Sequence, residues 1–306
     1  MKTLLHCLQL LTGLAVAAAF FAGCAELKDD VPAPTGSGIS VHTEGWTDAA
    51  SARFHGKSIS ADGWDMRSCR TCHGPDYAGG TAQVSCETCH SDAGGPENCA
   101  TCHGGPGSNA PPSDLGGNTA SGAPGVGAHA KHVLGGSLAP KVWCYECHTV
   151  PTSVYAAGHV DSDLPAEVPM NGPMARTASD GIDPVPAHDF GTLTCANTYC
   201  HGNWRTRKAD SPNQFAYMDS VMTGANASPI WTGGSGEAKC GTCHHTIPDP
   251  PAAPDSLMYI PQGHIPQPNI SCGNCHLGVV DDEGKIADRT LHINGKINVF
   301  GLERRF

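Results

Sequence analysis

Large apolar side chains are scarce in this chain. Aromatic residues make up 6% of its 306 residues, and charged residues only 15%. A polypeptide so poor in bulky hydrophobes cannot bury enough surface by itself to offset the entropy of ordering its backbone. Long helices and regular sheets are excluded as well, because 38 glycines and 24 prolines, a fifth of the chain, punctuate it too often. Positive charge is in short supply too. The formal net charge of −11 argues against nucleic acid or an anionic membrane surface as partner, since both would be repelled. What the chain has in abundance is cysteine and histidine, sixteen and seventeen residues respectively.

The N-terminus carries Lys2, an apolar run from Leu4 to Ala22, and then Gly23-Cys24. A basic start, a short apolar stretch and small residues before a cleavage site read as a secretory signal over residues 1–23. It resembles a bacterial lipoprotein signal, which would make Cys24 the lipid-bearing first residue. Cleavage near Ala25 with release of a soluble chain is the competing reading. Gln9 and Thr12 interrupt the run and argue against a retained membrane helix. Residues 24–40 are polar and rich in Pro and Gly, as a flexible tether should be.

Six segments read C-x-x-C-H: Cys69-x-x-Cys72-His73, Cys86-x-x-Cys89-His90, Cys99-x-x-Cys102-His103, Cys144-x-x-Cys147-His148, Cys240-x-x-Cys243-His244 and Cys272-x-x-Cys275-His276. Chance would give roughly 0.05 such matches at this Cys and His content, so the pattern is the signature of c-type haem attachment. Two thiols form thioethers with the porphyrin vinyl groups, and the adjacent His ligates the iron. A seventh segment, Cys195-Ala-Asn-Thr-Tyr-Cys200-His201, has four residues between its cysteines; the loop can bulge while Cys200 and His201 keep their relation. Zinc ribbons and redox C-x-x-C motifs do not require a His after every second Cys. Disulfides are expected in secreted proteins, but the seven motifs leave only Cys24 beyond the signal.

Sixth ligands are available for every iron. Apart from His6 in the signal, nine histidines lie outside the motifs. His42, His55, His129, His132, His159, His264 and His292 are the candidate distal ligands. His188 is ambiguous, and His245 directly follows a motif His, so its ring should point elsewhere. Met66, Met170, Met174, Met218, Met222 and Met258 are better read as gap-fillers.

At these residues the chain resembles the multihaem c-type cytochromes of Geobacter-like metal-reducing bacteria that combine C-x(4)-C-H with C-x-x-C-H. The stretches that carry the resemblance are Gly127-Ala-His129-Ala-Lys-His132, Cys144-Tyr-Glu-Cys-His148, Gly158-His159-Val-Asp, Tyr199-Cys-His-Gly202 and Leu291-His292-Ile-Asn-Gly295. The resemblance implies electron transfer in metal or electrode respiration, with envelope redox proteins, a porin, further cytochromes, extracellular metal oxides or an electrode as partners.

The expected organisation is a three-haem module at 41–103, a Gly/Pro linker at 104–125 and a four-haem module at 126–306. The expected fold is mostly irregular, with short helices at the motifs and near Asp48–Phe54, little or no sheet, and seven covalent haem c groups as the core. By this reading the chain is an electron conduit at the outer membrane or cell surface, or otherwise periplasmic or extracellular, with no catalytic residues. A multihaem reductase would need one open iron; the C-x-x-C-K motif of nitrite reductases does not occur. A haem-built filament subunit is the third possibility.

Overall fold

The computed structural model describes residues 41–104, 114–245, 259–266 and 270–306. The signal, the tether, Cys24, linker residues 105–113, the Pro-rich stretch Asp249–Pro254 and Met258 lie outside the described residues. The chain divides into two compact units, Met1–Ala61 and Asp62–Phe306.

In the first unit, residues 44–53 form successive turns, and the helix expected at Asp48–Phe54 begins instead at His55 (α1, His55–Ala61). The Trp46 carbonyl accepts both the backbone N–H of His55 at 2.8 Å and its Nδ1–H at 2.9 Å. That double bond holds the chain in turns up to His55. His42 stacks on the Trp46 indole with ring centres 4.5 Å apart.

In the second unit each cysteine motif forms a single helical turn. Four are α-helical: α2 (Arg70–His73), α3 (Cys99–His103), α5 (Cys240–Cys243) and α6 (Cys272–Cys275). Cys86–Thr88, Cys144–Glu146 and Tyr199–His201 are 3₁₀ turns. Between them, α4 (His129–Val133) carries two histidines. Ser85, Asn98 and Ser271 cap their motifs by accepting the N–H of the residue two positions on, satisfying donors that so short a helix cannot pair internally.

The strands form three antiparallel ribbons: β1 (Ala187–Asp189) with β2 (Thr194–Ala196), β3 (Arg205–Arg207) with β4 (Val221–Thr223), and β5 (Lys296–Val299) with β6 (Leu302–Arg305). The first pairs His188 with Cys195, so a strand carries the chain into the Cys195–His201 motif, the fifth of the seven in chain order. Among the described residues no helix is long and apolar enough to cross a membrane.

Side chains supply little core. The buried apolar residues are Met66, Tyr77, Val126, Met170, Ala175, Tyr199, Tyr217, Met222 and Val279, scattered along the unit. Tyr77 anchors one local centre: its hydroxyl donates to Glu97 at 2.9 Å and accepts from Arg70 Nε at 3.0 Å. Tyr155 joins that centre by accepting the N–H of Met66 at 3.0 Å, which ties the segment at the first motif to the segment that carries His159. A cavity of about 1350 Å³ is lined by the motifs at Cys195–His201, Cys240–His244 and Cys272–His276 together with His132, His264 and His292. Trp143, Tyr145, Phe215 and Ile270 line it while remaining exposed. The apolar surface that a side-chain core would consume faces this space instead.

Candidate metal centres

Five motif histidines face five of the candidate distal histidines. Ring centres are 5.9 Å apart for His103 and His159, 6.2 Å for His148 and His129, 6.2 Å for His201 and His132, 6.3 Å for His244 and His292, and 6.5 Å for His276 and His264. These separations lie at the long end of the range for direct ring contact. A metal–imidazole nitrogen bond is about 2 Å and the nitrogen lies about 1.1 Å from its ring centre, so two rings trans across one metal sit with centres about 6.2 Å apart. The observed spacings bracket that value.

The tautomers suit the same chemistry. Nδ1 of His148, His159, His129, His132, His264, His276 and His292 lies 2.6 to 3.0 Å from the backbone carbonyls of Glu167, Val154, Val126, Ala128, Ile265, Asn298 and Leu138. His73 does the same to Val84 at 2.9 Å, as His55 does to Trp46. A carbonyl only accepts, so each of these Nδ1 atoms carries the proton, which puts the lone pair of the neutral imidazole on Nε2, the nitrogen that a metal would take. Burial keeps several rings neutral: His201 and His244 are pushed down to about 4, and His103, His129, His264 and His292 are shifted in the same direction.

The buried Nδ1 of His244 has no hydrogen-bond partner among the described residues.

The two histidines left open by the sequence are placed differently. His245 has Nε2, rather than Nδ1, at 3.1 Å from the Gly224 carbonyl, so its ligating nitrogen is engaged. His188 lies on β1 with Nδ1 3.6 Å from Cys195 Sγ and its ring edge-on to Phe190. Neither faces a motif histidine in the described ring contacts.

The donor set fits a porphyrin iron. None of the fourteen motif cysteines is in a disulfide, so each thiol is available for a thioether. No group of three or more His, Cys, Asp or Glu converges to hold a bare ion among the described residues. A facing pair of imidazoles beside a cysteine pair would suit a macrocyclic iron, the thiols attaching the ring and the imidazoles holding the metal.

Some contributors carry no sequence signal. The carbonyl acceptors belong to ordinary loop residues. Glu146, inside the fourth motif, is 6% exposed, and its Oε2 accepts the N–H groups of Met174 and Ala175 at 2.9 and 3.0 Å. Trp231 contacts the rings of both His129 and His132.

Residues 194–244 match the family described as the Geobacter CxxxxCH...CXXCH motif. That match supports a multihaem c-type cytochrome-like family. It spans the Cys195 motif, whose four-residue spacing is its distinguishing feature, and ends on His244. No curated protein and no solved structure matches the chain.

Proposed function

We propose that the chain is a seven-haem c-type cytochrome that moves electrons along a series of His/His-ligated haems, across or outside the cell envelope. The observation that carries this reading is the set of five facing imidazole pairs at the separation a shared iron requires. His73 and His90 complete the motif set, and His42 and His55 complete the distal set.

Bound haem supplies reversible one-electron chemistry at low potential, since bis-His ligation lacks the Met that raises it. The residues of the chain hold, orient and space the sites. His129 and His132, three positions apart on α4, face the motif histidines of the fourth and fifth sites, so one helical turn couples them. The motifs of His201, His244 and His276 line a single cavity, which supports these three sites as close neighbours. His159 faces His103 from beyond the 104–125 stretch, so the path continues across it. The carbonyls that accept the Nδ1–H groups keep the rings oriented and raise their basicity as ligands.

Cys24 is proposed as a lipid anchor that places the chain at the outer membrane or cell surface. Its partners there would be envelope redox proteins, a porin or further cytochromes, and extracellular metal oxides. The negative charge favours positively charged docking surfaces.

The test is a pyridine haemochrome count on the purified protein, with EPR and carbon monoxide binding. Seven covalent haems per chain, all low-spin and unreactive to carbon monoxide, are expected. A high-spin fraction that binds carbon monoxide would overturn the pure carrier in favour of a reductase with an open iron.

A further inference from the structure

The Trp231 indole lies against two distal histidines of different sites. Its ring centre is 4.7 Å from that of His129, edge-on at 88°, and 5.6 Å from that of His132, tilted by 31°. His129 faces His148 and His132 faces His201. One side chain therefore touches a candidate ligand of the fourth site and one of the fifth.

The indole is fixed from three directions. Nε1–H donates to the Pro124 carbonyl at 2.8 Å. The backbone N–H of Trp231 donates to the Leu193 carbonyl at 2.6 Å, and Cys195 N–H donates to Pro229 at 3.1 Å. These bonds tie the 229–231 segment to the strand that leads into the Cys195–His201 motif. Above the indole the chain is pared back: a Cβ at Gly127 would lie 1.9 Å from Nε1, and Gly127 adopts φ +43°. Only glycine allows the segment before α4 to approach the ring this closely.

We infer that Trp231 is a positioning residue that sets the planes of His129 and His132 and so couples the fourth and fifth sites; this rests on the haem reading proposed above. An imidazole ligated through Nε2 can still turn about the metal–nitrogen bond. Its Nδ1–H bond to the same helical segment restrains that rotation, and the indole closes the side that the bond leaves open. The two pairs are held differently: His129 and His148 are near parallel at 21°, whereas His132 and His201 are crossed at 67°. Ligand-plane angle governs the magnetic anisotropy of a low-spin ferric haem. Near-parallel planes give a rhombic EPR signal, and crossed planes give a signal with a large low-field g value.

The experiment compares wild type, W231A, W231F and G127A as holoproteins, by haem count, EPR and a redox titration followed optically. Wild type should show both signal types. In W231A and G127A, at full haem count, the share of large-g signal should change by one haem's worth. The oxidised-to-reduced ratio of two haems at their wild-type midpoints should shift severalfold, against a scale of 59 mV for each tenfold in a one-electron couple. W231F keeps a ring against both histidines and should retain the wild-type spectrum. Wild-type spectra and midpoints in both W231A and G127A would overturn the inference. If W231A loses haem, W231F decides: a preserved spectrum supports the positioning role, and an altered one at full haem count overturns it. A wild-type protein without low-spin haem would overturn the haem reading itself, a result distinct from any of these.

Discussion

The Nδ1–H of His292 donates to the carbonyl of Leu138, 154 residues earlier, at 2.6 Å. The loop after α4 thereby orients the ring that faces His244. Arg289 reinforces the junction by donating to Gly136 O at 3.2 Å. A candidate distal ligand near the C-terminus is thus aimed by a segment from the middle of the chain.

Replacing that ring should act on one site. Met in place of His raises a cytochrome potential, so H292M should shift one midpoint upward by more than tenfold in the oxidised-to-reduced ratio, which is above about 59 mV for a one-electron couple. H292A should instead leave one iron open, converting one haem to a high-spin form that binds carbon monoxide. Redox titration and EPR read both. Either variant with wild-type spectra would remove His292 from the ligand set.

Glu146 should matter more to stability than its place between two motif cysteines suggests. Its carboxylate is the acceptor for one buried and one half-buried N–H group, and E146A would leave both without that partner at a cost of about 2–5 kcal/mol. E146Q keeps a carbonyl oxygen there and should cost less. Gly172 makes the complementary test. A Cβ there would lie 2.2 Å from both Glu146 Cα and Oε2, so G172A should destabilise, and E146A should not rescue it because the Cα clash remains. Denaturant unfolding of the holoprotein, followed in the Soret band, measures all four variants.

The attachment motifs are legible in the sequence because they are local: two thiols and an imidazole within five or seven residues need no knowledge of the fold. Candidate distal ligands are legible only as a set. Which motif histidine each faces depends on contacts such as His103 with His159 and His132 with His201, whose separations follow no period. A single hydrogen bond sets His245 apart from the candidate ligands: it turns Nε2 to Gly224, while His292 turns Nδ1 to Leu138, and neither carbonyl has a residue-type signature. Short ribbons such as Ala187–Asp189 with Thr194–Ala196 are three residues long, below the length at which alternation can be read. Trp231 was invisible for a different reason: an isolated Trp between loops gives no hint that Gly127 makes room for it.

Tyr77 gives the pH dependence a sign. The ring is 4% exposed, and burial, with the Tyr155 hydroxyl and Glu97 beside it, raises its hydroxyl well above the usual tyrosine range. Its folded-state value therefore lies above its unfolded value of about 10. The stability it contributes is fully present below pH 10 and is lost as the pH rises toward the folded value, at up to about 1.4 kcal/mol per pH unit. Y77F should cost about 1–2 kcal/mol at neutral pH through the lost bonds to Glu97 and Arg70. It should also flatten the decline above pH 10. Denaturant unfolding at several alkaline pH values reads both, and an equally steep decline in Y77F would assign the slope to other groups.

The last prediction concerns what fills the centre. The cavity of about 1350 Å³ exceeds the roughly 300–1,000 Å³ of an ordinary ligand pocket, and Phe215 and Trp143 line it while 59% and 53% exposed. With only a scattered set of buried hydrophobes around it, the unliganded chain would leave these rings in water and order its loops with little apolar gain. Covalent groups that occupy this space would cover them. Chain produced without haem attachment should therefore be largely unfolded, as metal-dependent domains are without their metal. Its circular dichroism should lack a cooperative thermal transition, whereas the loaded protein should melt cooperatively. Removing one attachment pair inside the cavity, as C240A/C243A, should weaken the fold around it and lower the melting temperature more than C99A/C102A, whose motif does not line it. A cooperative melt of the unloaded chain would mean that side chains alone build the core.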